Sequence, residues 1–262
     1  MVDARLLDAV GSLVRRHARP DHIPLIGIAG SQGSGKTTLA TAAAAGLKAA
    51  QFSLDDVYLT KAQREAKGRA VHPLFATRGV PGTHDLGLLS ATIADLRAAG
   101  EGSRTPIPSF NKLADDRRRM ADWPVFEGRP EAILVEGWCL GATAQGDEAL
   151  AVPVNGLEAK QDGQGVWRRA VNEALAGDYA RAFDGFDAVL FLRAPGFETV
   201  LDWRCEQEMG LLGVEALPEG RREALHGFVQ GFERVTRHML AGGVRADVVV
   251  QLDEGRGVLG VA

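Results

Sequence analysis

The segment Gly30-Ser31-Gln32-Gly33-Ser34-Gly35-Lys36-Thr37 matches G-x-x-x-x-G-K-[ST] at every fixed position. Glycines let consecutive backbone N–H groups turn toward one phosphate, and a helix N-terminus behind them adds partial positive charge. Lys36 then reaches the β- and γ-phosphates of a nucleotide, the Thr37 hydroxyl ligates Mg²⁺, and Thr38 continues the cradle into the helix. A glycine-rich turn that binds nothing would share the glycines, so the flanks decide. Ile23-Pro24-Leu25-Ile26-Gly27-Ile28-Ala29 is a short apolar stretch bounded by polar residues, as a buried parallel strand would be. Thr38-Leu39-Ala40 opens an alanine-rich run to about Lys48, which favours helix. Strand, glycine loop and helix are the context that phosphate binding requires.

Moving a phosphoryl group from such a nucleotide asks for an acid beside the metal, a base for the acceptor and cations for the developing charge. Glu136 ends the apolar run Ala132-Ile133-Leu134-Val135 and precedes Gly137, the setting of an acid that orients Mg²⁺ or its water shell. A strand-terminal acid in solvent is the alternative. Asp55 follows Gln51-Phe52-Ser53-Leu54 and is the candidate base. Asp56 would point elsewhere, and both acids could instead cap a helix. Arg204 could lie on a mobile lid that closes over the phosphates and excludes water, or could pair with Glu208 at i,i+4 on a helix surface. Arg78, His84, Lys112 and Arg117 lie on the acceptor side and could hold an anionic substrate, since guanidinium groups match carboxylates. Asp85 belongs to the same loop and also suits a helix cap. Arg118 and Arg119 read as a solvated charge run.

These residues need elements to position them. Leu6, Val10, Leu13 and Val14 predict an N-terminal helix within residues 1–18. Residues 61–70 are charged and helix-compatible, 71–85 form a loop, and Leu86, Leu89, Ile93 and Leu96 predict a helix over 86–99. Pro106, Pro108, Pro124 and Pro130 interrupt 100–130, and 141–165 reads as an irregular excursion. Helical spacing returns at Trp167, Ala170, Val171, Ala174 and Leu175. Asp187–Leu192 reads as a strand, 197–211 as a helix and 212–222 as a link. A final helix carries Leu225, Phe228, Val229, Phe232, Val235 and Met239, and Val248-Val249-Val250 is the last strand. The pattern predicts an α/β fold: a parallel five-stranded sheet with helices on both faces. Its active edge lies at the carboxyl ends of the strands, where Gly30, Asp55, Glu136 and Arg193 fall. Residues 1–262 read as one domain, with substrate-side insertions at about 71–130 and 139–165 and a lid at about 204–222.

The composition excludes several classes. Net charge is −4, from 30 Lys plus Arg against 34 Asp plus Glu, which argues against nucleic-acid binding through a global basic field. No apolar run approaches the roughly 20 residues of a membrane span. The start, Met1-Val2-Asp3-Ala4-Arg5, does not read as a signal peptide. Cys139 and Cys205 sit in no metal or redox spacing, so a cytoplasmic location is the default expectation.

With these residues in place, the chain resembles the P-loop kinases of small metabolites: uridine kinase, phosphoribulokinase and bacterial pantothenate kinase. The closer resemblance is to the D-glycerate 3-kinase group. The segments that carry it are Ser53-Leu54-Asp55-Asp56-x-Tyr58-Leu59-Thr60, Arg78-Gly79-x-x-Gly82-Thr83-His84-Asp85-Leu86 and Glu136-Gly137-Trp138-x-x-Gly141. Trp203-Arg204-x-x-Gln207-Glu208 and Val171-Asn172-x-x-Leu175 also match, so the resemblance spans roughly 24–240. It implies a P-loop NTPase fold, ATP and Mg²⁺ as cofactors, Asp55 as base, Arg204 as lid cation and Tyr58 on the substrate side. The group's substrate segment, approximately Pro-x-Tyr-Asp-Lys-Ser and then Gly-Asp-Arg, differs here. Phe110-Asn111-Lys112-Leu113 and Asp115-Asp116-Arg117 keep the Lys and Arg but lose the Tyr, the acid and the Ser.

The resulting expectation is ATP- and Mg²⁺-dependent phosphoryl transfer to a hydroxyl of a small anionic metabolite, D-glycerate first. The protein would act as a monomer or homodimer, without nucleic-acid or membrane partners. A nucleoside or pantothenate kinase-like activity is the alternative enzyme. A GTPase switch or metallochaperone is the alternative of another class. Against it, Asn111-Lys112-Leu113-Ala114 lacks the final acid of a guanine-selecting Asn-Lys-x-Asp motif.

Overall fold

A computed structural model describes residues 2–262. α1 (Ala4–His17) starts at Asp3, whose carboxylate accepts the Arg5 N–H, and buries the predicted stripe of Leu6, Val10, Leu13 and Val14. β1 (Leu25–Gly30) runs through the glycine loop into α2 (Lys36–Leu47), which is followed by β2 (Ala50–Ser53). α3 (Lys61–Ala70) opens on a reciprocal cap between Thr60 and Gln63, and α4 (Leu86–Ala98) on Asp85. The proline-interrupted stretch holds four short strands: β3 (Arg104–Pro106), β4 (Phe110–Asn111), β5 (Asp116–Arg117) and β6 (Val125–Glu127). β3 pairs with β6 and β4 with β5, both antiparallel. β7 (Ile133–Gly137) re-enters the core. The expected excursion contains α5 (Gly156–Gln161), then come α6 (Val166–Ala174) and α7 (Ala180–Asp184), joined by a wider π-type turn. β8 (Ala188–Arg193), α8 (Phe197–Leu212), α9 (Arg221–Leu240), β9 (Val248–Leu252) and β10 (Val258–Val261) complete the chain.

The central sheet has the order β10-β9-β8-β1-β7-β2. Its first five strands in chain order are mutually parallel, as the alternation of strands and helices predicts. The count of five is corrected to six: β10 adds antiparallel to β9. Three of its four residues are exposed, while Val258 packs into the core beside Val250 and Leu252, so only one residue of this short strand marks it by burial.

Alternation along each strand divides the core between the two faces. Leu25 and Ala29 of β1 join Ile133, Val135, Val189 and Phe191 under α4, α6 and α9. Ile26 and Ile28 join Leu134, Leu190 and Leu192 under α1 and α2. Register brings the strand ends level, with Ala29 beside Gly137, Gly30 beside Leu192 and Ser53 beside Glu136. The chain leaves β1 toward β2 on one side and later crosses to β8 on the other. The crevice beside β1 is thus the switch point where ligands bind in such sheets.

Candidate active site

At this crevice the glycine loop bends over the N-terminus of α2. Gly33 and Gly35 have φ of +75° and +87°, a conformation that L side chains rarely adopt. A Cβ on Gly33 would also lie 2.5 Å from the Cβ of Trp203, so the loop packs directly on α8. Lys36 Nζ donates to the Ser31 carbonyl at 3.4 Å and lies 4.0 Å from Glu136 Oε2. The Thr37 hydroxyl donates to Glu136 Oε1 at 2.8 Å. Ser31 Oγ, Gln32 Oε1, Ser34 Oγ and Glu136 Oε2 are buried without hydrogen-bond partners. Buried polar atoms normally find partners, and this cluster of hydroxyls, amide oxygen and carboxylate fits a phosphate and a hydrated divalent cation. Thr38 lies exposed in the first turn of α2 and outside the cavity lining.

The cavity in front of the loop measures about 190 Å³. Lys36, Arg78, Lys112 and Arg204 supply its positive charge, Asp55 and Glu136 its negative. Asp55 is carried by the short 3₁₀ turn after β2, capped by Ser53. The Cα of Gly137 packs on this turn; a Cβ there would come within 2.8 Å of the Leu54 Cβ. Asp55 accepts from Lys112 Nζ at 2.8 Å and from the Tyr58 hydroxyl at 2.9 Å. Burial works against its charge, but the Lys112 ammonium, with Lys36 and Tyr58, outweighs it and holds the carboxyl at about 2. Asp56 turns away, as alternation predicts, to accept the Ser53 and Phe110 N–H groups at 3.0 and 3.4 Å. Burial pushes it up to about 6.

The structure divides the acceptor-side residues into two groups. Lys112, Arg78 and Tyr58 line the cavity. Arg78 pairs with Asp115 and lies 5.5 Å from the Phe110 ring centroid. Asp115 also binds the fully buried Arg64 at 3.0 Å. His84, Asp85 and Arg117 lie outside the lining. His84 is buried, stacks on Tyr58 at 4.5 Å and pairs its Nδ1 with the Tyr179 hydroxyl. Burial lowers its pKa to about 4, so it carries no charge at neutral pH, and its buried Nε2 has no hydrogen-bond partner. Arg117 donates to the Tyr58 carbonyl at 2.8 Å and to Asp85 Oδ2 at 3.0 Å. It ties the β4–β5 ribbon to Tyr58 and to the start of α4 instead of facing the expected anion. Asp85 caps α4 through the Leu88 N–H at 2.9 Å.

Arg204 lines the cavity and pairs with Glu208 at 2.8 Å, one helical turn along α8, as the i,i+4 reading expects. Arg193 ends β8, but its guanidinium donates to the Leu240 carbonyl at 2.7 Å. Sequence reasoning about chemistry missed Trp138, Gln207 and Phe232 in the lining. Trp138 and Gln207 stood inside the quoted Glu-Gly-Trp and Trp-Arg-x-x-Gln-Glu segments, while Phe232 showed only as part of a helical stripe. Arg256 was also missed. It sits in the turn between β9 and β10, donates to the Gly33 carbonyl at 2.6 Å, pairs with Glu206 at 2.7 Å and lies 5.0 Å from the Trp203 ring centroid. An arginine in a glycine-rich surface turn gives no signal from sequence alone.

No family model matches the chain. An uncharacterized kinase of Schizosaccharomyces pombe, mug58, is 31% identical over 220 residues, covering 79% of this chain and 78% of that protein. The chloroplastic D-glycerate 3-kinase of Arabidopsis thaliana is 39% identical over 207 residues, covering 73% of this chain but 42% of that longer protein. Among solved structures, the D-glycerate 3-kinase of Cryptococcus neoformans var. grubii superposes with a TM-score of 0.79 at 20% identity, over 100% of this chain and 99% of that one. The fold, the phosphate loop facing Glu136 and Asp55, and a relative of this extent together show that the chain belongs to a family of P-loop kinases that includes mug58, with similarity to D-glycerate 3-kinase over part of that longer protein.

Proposed function

We propose that the chain transfers the γ-phosphoryl group of ATP, with Mg²⁺, to a hydroxyl of D-glycerate. The observation that carries this reading is the Asp55–Lys112 pair in the cavity, 2.8 Å long, with Arg78 also lining it. A base held by one cation and overlooked by a second suits an acceptor that brings both a hydroxyl and a carboxylate. The carboxylate draws Lys112 and Arg78 to itself, and Asp55 accepts the hydrogen bond of the acceptor hydroxyl. Losing the Lys112 partner raises the basicity of Asp55 when the acceptor is present, so an anionic acceptor activates its own base. The similarity to the D-glycerate 3-kinase of Arabidopsis thaliana supports the same acceptor.

On the nucleotide side, Ser31, Ser34 and the loop N–H groups suit the phosphates, while Thr37 and Glu136 would hold Mg²⁺ or its waters. The metal would neutralise developing charge on the phosphoryl oxygens. Lys36 neutralises the same region directly. Arg204, on the cavity-facing side of α8, adds a cation from the region that acts as lid, about 204–222, and α8 with α9 excludes water from the transfer. Cys139 and Cys205 are free and buried, which suits a reducing cytoplasmic setting.

The test is ADP release from Mg-ATP with D-glycerate beside pantothenate, nucleosides and other hydroxy acids. Stimulation by D-glycerate with kcat/KM well above that of pantothenate and the nucleosides is expected. Stimulation confined to an uncharged nucleoside would overturn the anionic-acceptor reading.

A further inference from the structure

Behind the catalytic cavity lies a second one of about 280 Å³ that the proposed reaction leaves unused. Its walls are mainly apolar, including Leu74, Val80, Leu157 and Trp167. Arg78, Phe228 and Phe232 line both cavities, so these three side chains form the partition between them. The volume exceeds the roughly 150 Å³ that suffices to hold a benzene ring in an apolar cavity.

The floor on the α9 side is made by Gly227 and Gly231, one helical turn apart. A glycine inside a helix costs about 1 kcal/mol relative to alanine. Packing does not require either one here. A Cβ on Gly227 would meet nothing within 4 Å, and one on Gly231 only Leu157 Cδ2 at 4.0 Å. What the two glycines provide is open volume between α9 and α5. The chain also departs from the group's substrate segment where Phe110 replaces a Tyr and Leu113, fully exposed, replaces a Ser. Neither residue lines either cavity.

We propose that this second cavity receives an apolar substituent of the acceptor, so that the preferred substrate is a hydroxy acid bearing an alkyl or aryl group. The proposal rests on the kinase reading above and on the wall of Arg78, Phe228 and Phe232 that the two cavities share. The carboxylate sits at Lys112 and Arg78, the reacting hydroxyl at Asp55, and the substituent passes the Phe228–Phe232 partition toward Trp167. In that partition Phe228 is 38% exposed, whereas Phe232 is buried.

The experiment uses 2-alkylglycerates of increasing chain length, which keep the primary hydroxyl and the carboxylate of glycerate. In the unaltered protein, kcat/KM relative to D-glycerate is expected to rise about threefold per added methylene until the cavity is full. Gly231→Leu and Leu157→Trp fill the cavity from opposite walls, and thermal unfolding checks that each variant is folded. Each is expected to bring the alkylglycerate-to-glycerate ratio of kcat/KM down at least to one. Turnover of D-glycerate with a ratio that falls as the chain lengthens overturns the cavity proposal and leaves the glycerate reading standing. A gain with chain length that both filled variants retain also overturns it. Turnover of alkylglycerates without turnover of glycerate sustains the cavity and removes glycerate as acceptor. Turnover of no acid at all overturns both.

Discussion

Asp55 and Lys112 form the pair on which the proposed chemistry turns. Asp55→Asn removes the proton acceptor without touching the glycine loop, so turnover is expected to fall about 10²–10⁴-fold while nucleotide affinity stays within a fewfold. Single-turnover kinetics beside nucleotide binding separates the two effects, and normal turnover would remove Asp55 from the role of base. Lys112→Met removes the main influence holding Asp55 at about 2, so the acidic limb of the kcat/KM profile should move to higher pH. The neighbouring His84 has a different pH signature. Its pKa is lowered from 6.5 to about 4 by burial, so the stability of its neutral form is complete above 6.5 and is lost as pH falls through 6.5 toward 4. Asp56, raised to about 6, acts with the opposite sign and gains stability as pH falls through the same range. Comparing urea midpoints of His84→Phe and the unaltered protein across this range isolates the His84 slope, and parallel curves would refute its burial as the cause.

Among the elements, the C-terminal hairpin does more than extend the sheet. Trp203 of α8 donates to the Glu254 carbonyl at 2.6 Å, while Arg256 returns from the same turn to the Gly33 carbonyl. The β9–β10 turn thereby ties the phosphate loop to the helix that bears Arg204. Arg256→Ala removes a charge-assisted bond of about 1.5–3 kcal/mol in favourable cases. KM for ATP is expected to rise roughly tenfold, with the acceptor's KM nearly unchanged. Equal changes in both constants would show general destabilisation instead. The short strands β4 and β5 are a second such element. They present Lys112 from a loop whose base is fixed by Asp56 at Phe110 and by Arg117 at Tyr58. The residues assigned to the acceptor by charge thus divide into those that line the cavity and those that hold the loop in place.

At the scale of the whole molecule, α5 and α9 are joined by a buried ion pair. Arg234 contacts both carboxylate oxygens of Glu158 at 2.7 and 2.6 Å and also donates to the Ala149 and Val152 carbonyls. Breaking such a pair from one side leaves a buried charge, so Arg234→Leu should cost about 3–5 kcal/mol of unfolding free energy. The double variant with Glu158→Leu should recover part of that loss, and denaturant unfolding of the single and double variants reads the difference. Ligand linkage acts on the same scale. Mg-ATP at a hundredfold excess over its Kd should stabilise the fold by about 2.7 kcal/mol, and Lys36→Ala should lose most of this shift. Among the described residues no helix is long and apolar enough to cross a membrane.

The sequence by itself determined the phosphate loop, the parallel alternation of strands and helices, and the level of Asp55 and Glu136 at the strand ends. These are local signals, in which a glycine spacing, an apolar run and the residue after it suffice. It also supplied the kinase resemblance, because motifs such as Ser53–Thr60 and Glu136–Gly141 are contiguous. Tertiary structure decided the rest. Arg117 carries the right chemistry for an anion, yet Asp85 and the Tyr58 carbonyl hold it elsewhere, and His84 is uncharged with its Nδ1 paired to Tyr179. β10 is four residues long with a single buried side chain, too short to show a periodic pattern, and Arg256 and Phe232 reach the site from distant parts of the chain. A side chain's direction is set by partners far away in sequence, so composition and spacing name the candidates while packing selects which of them face the cavity.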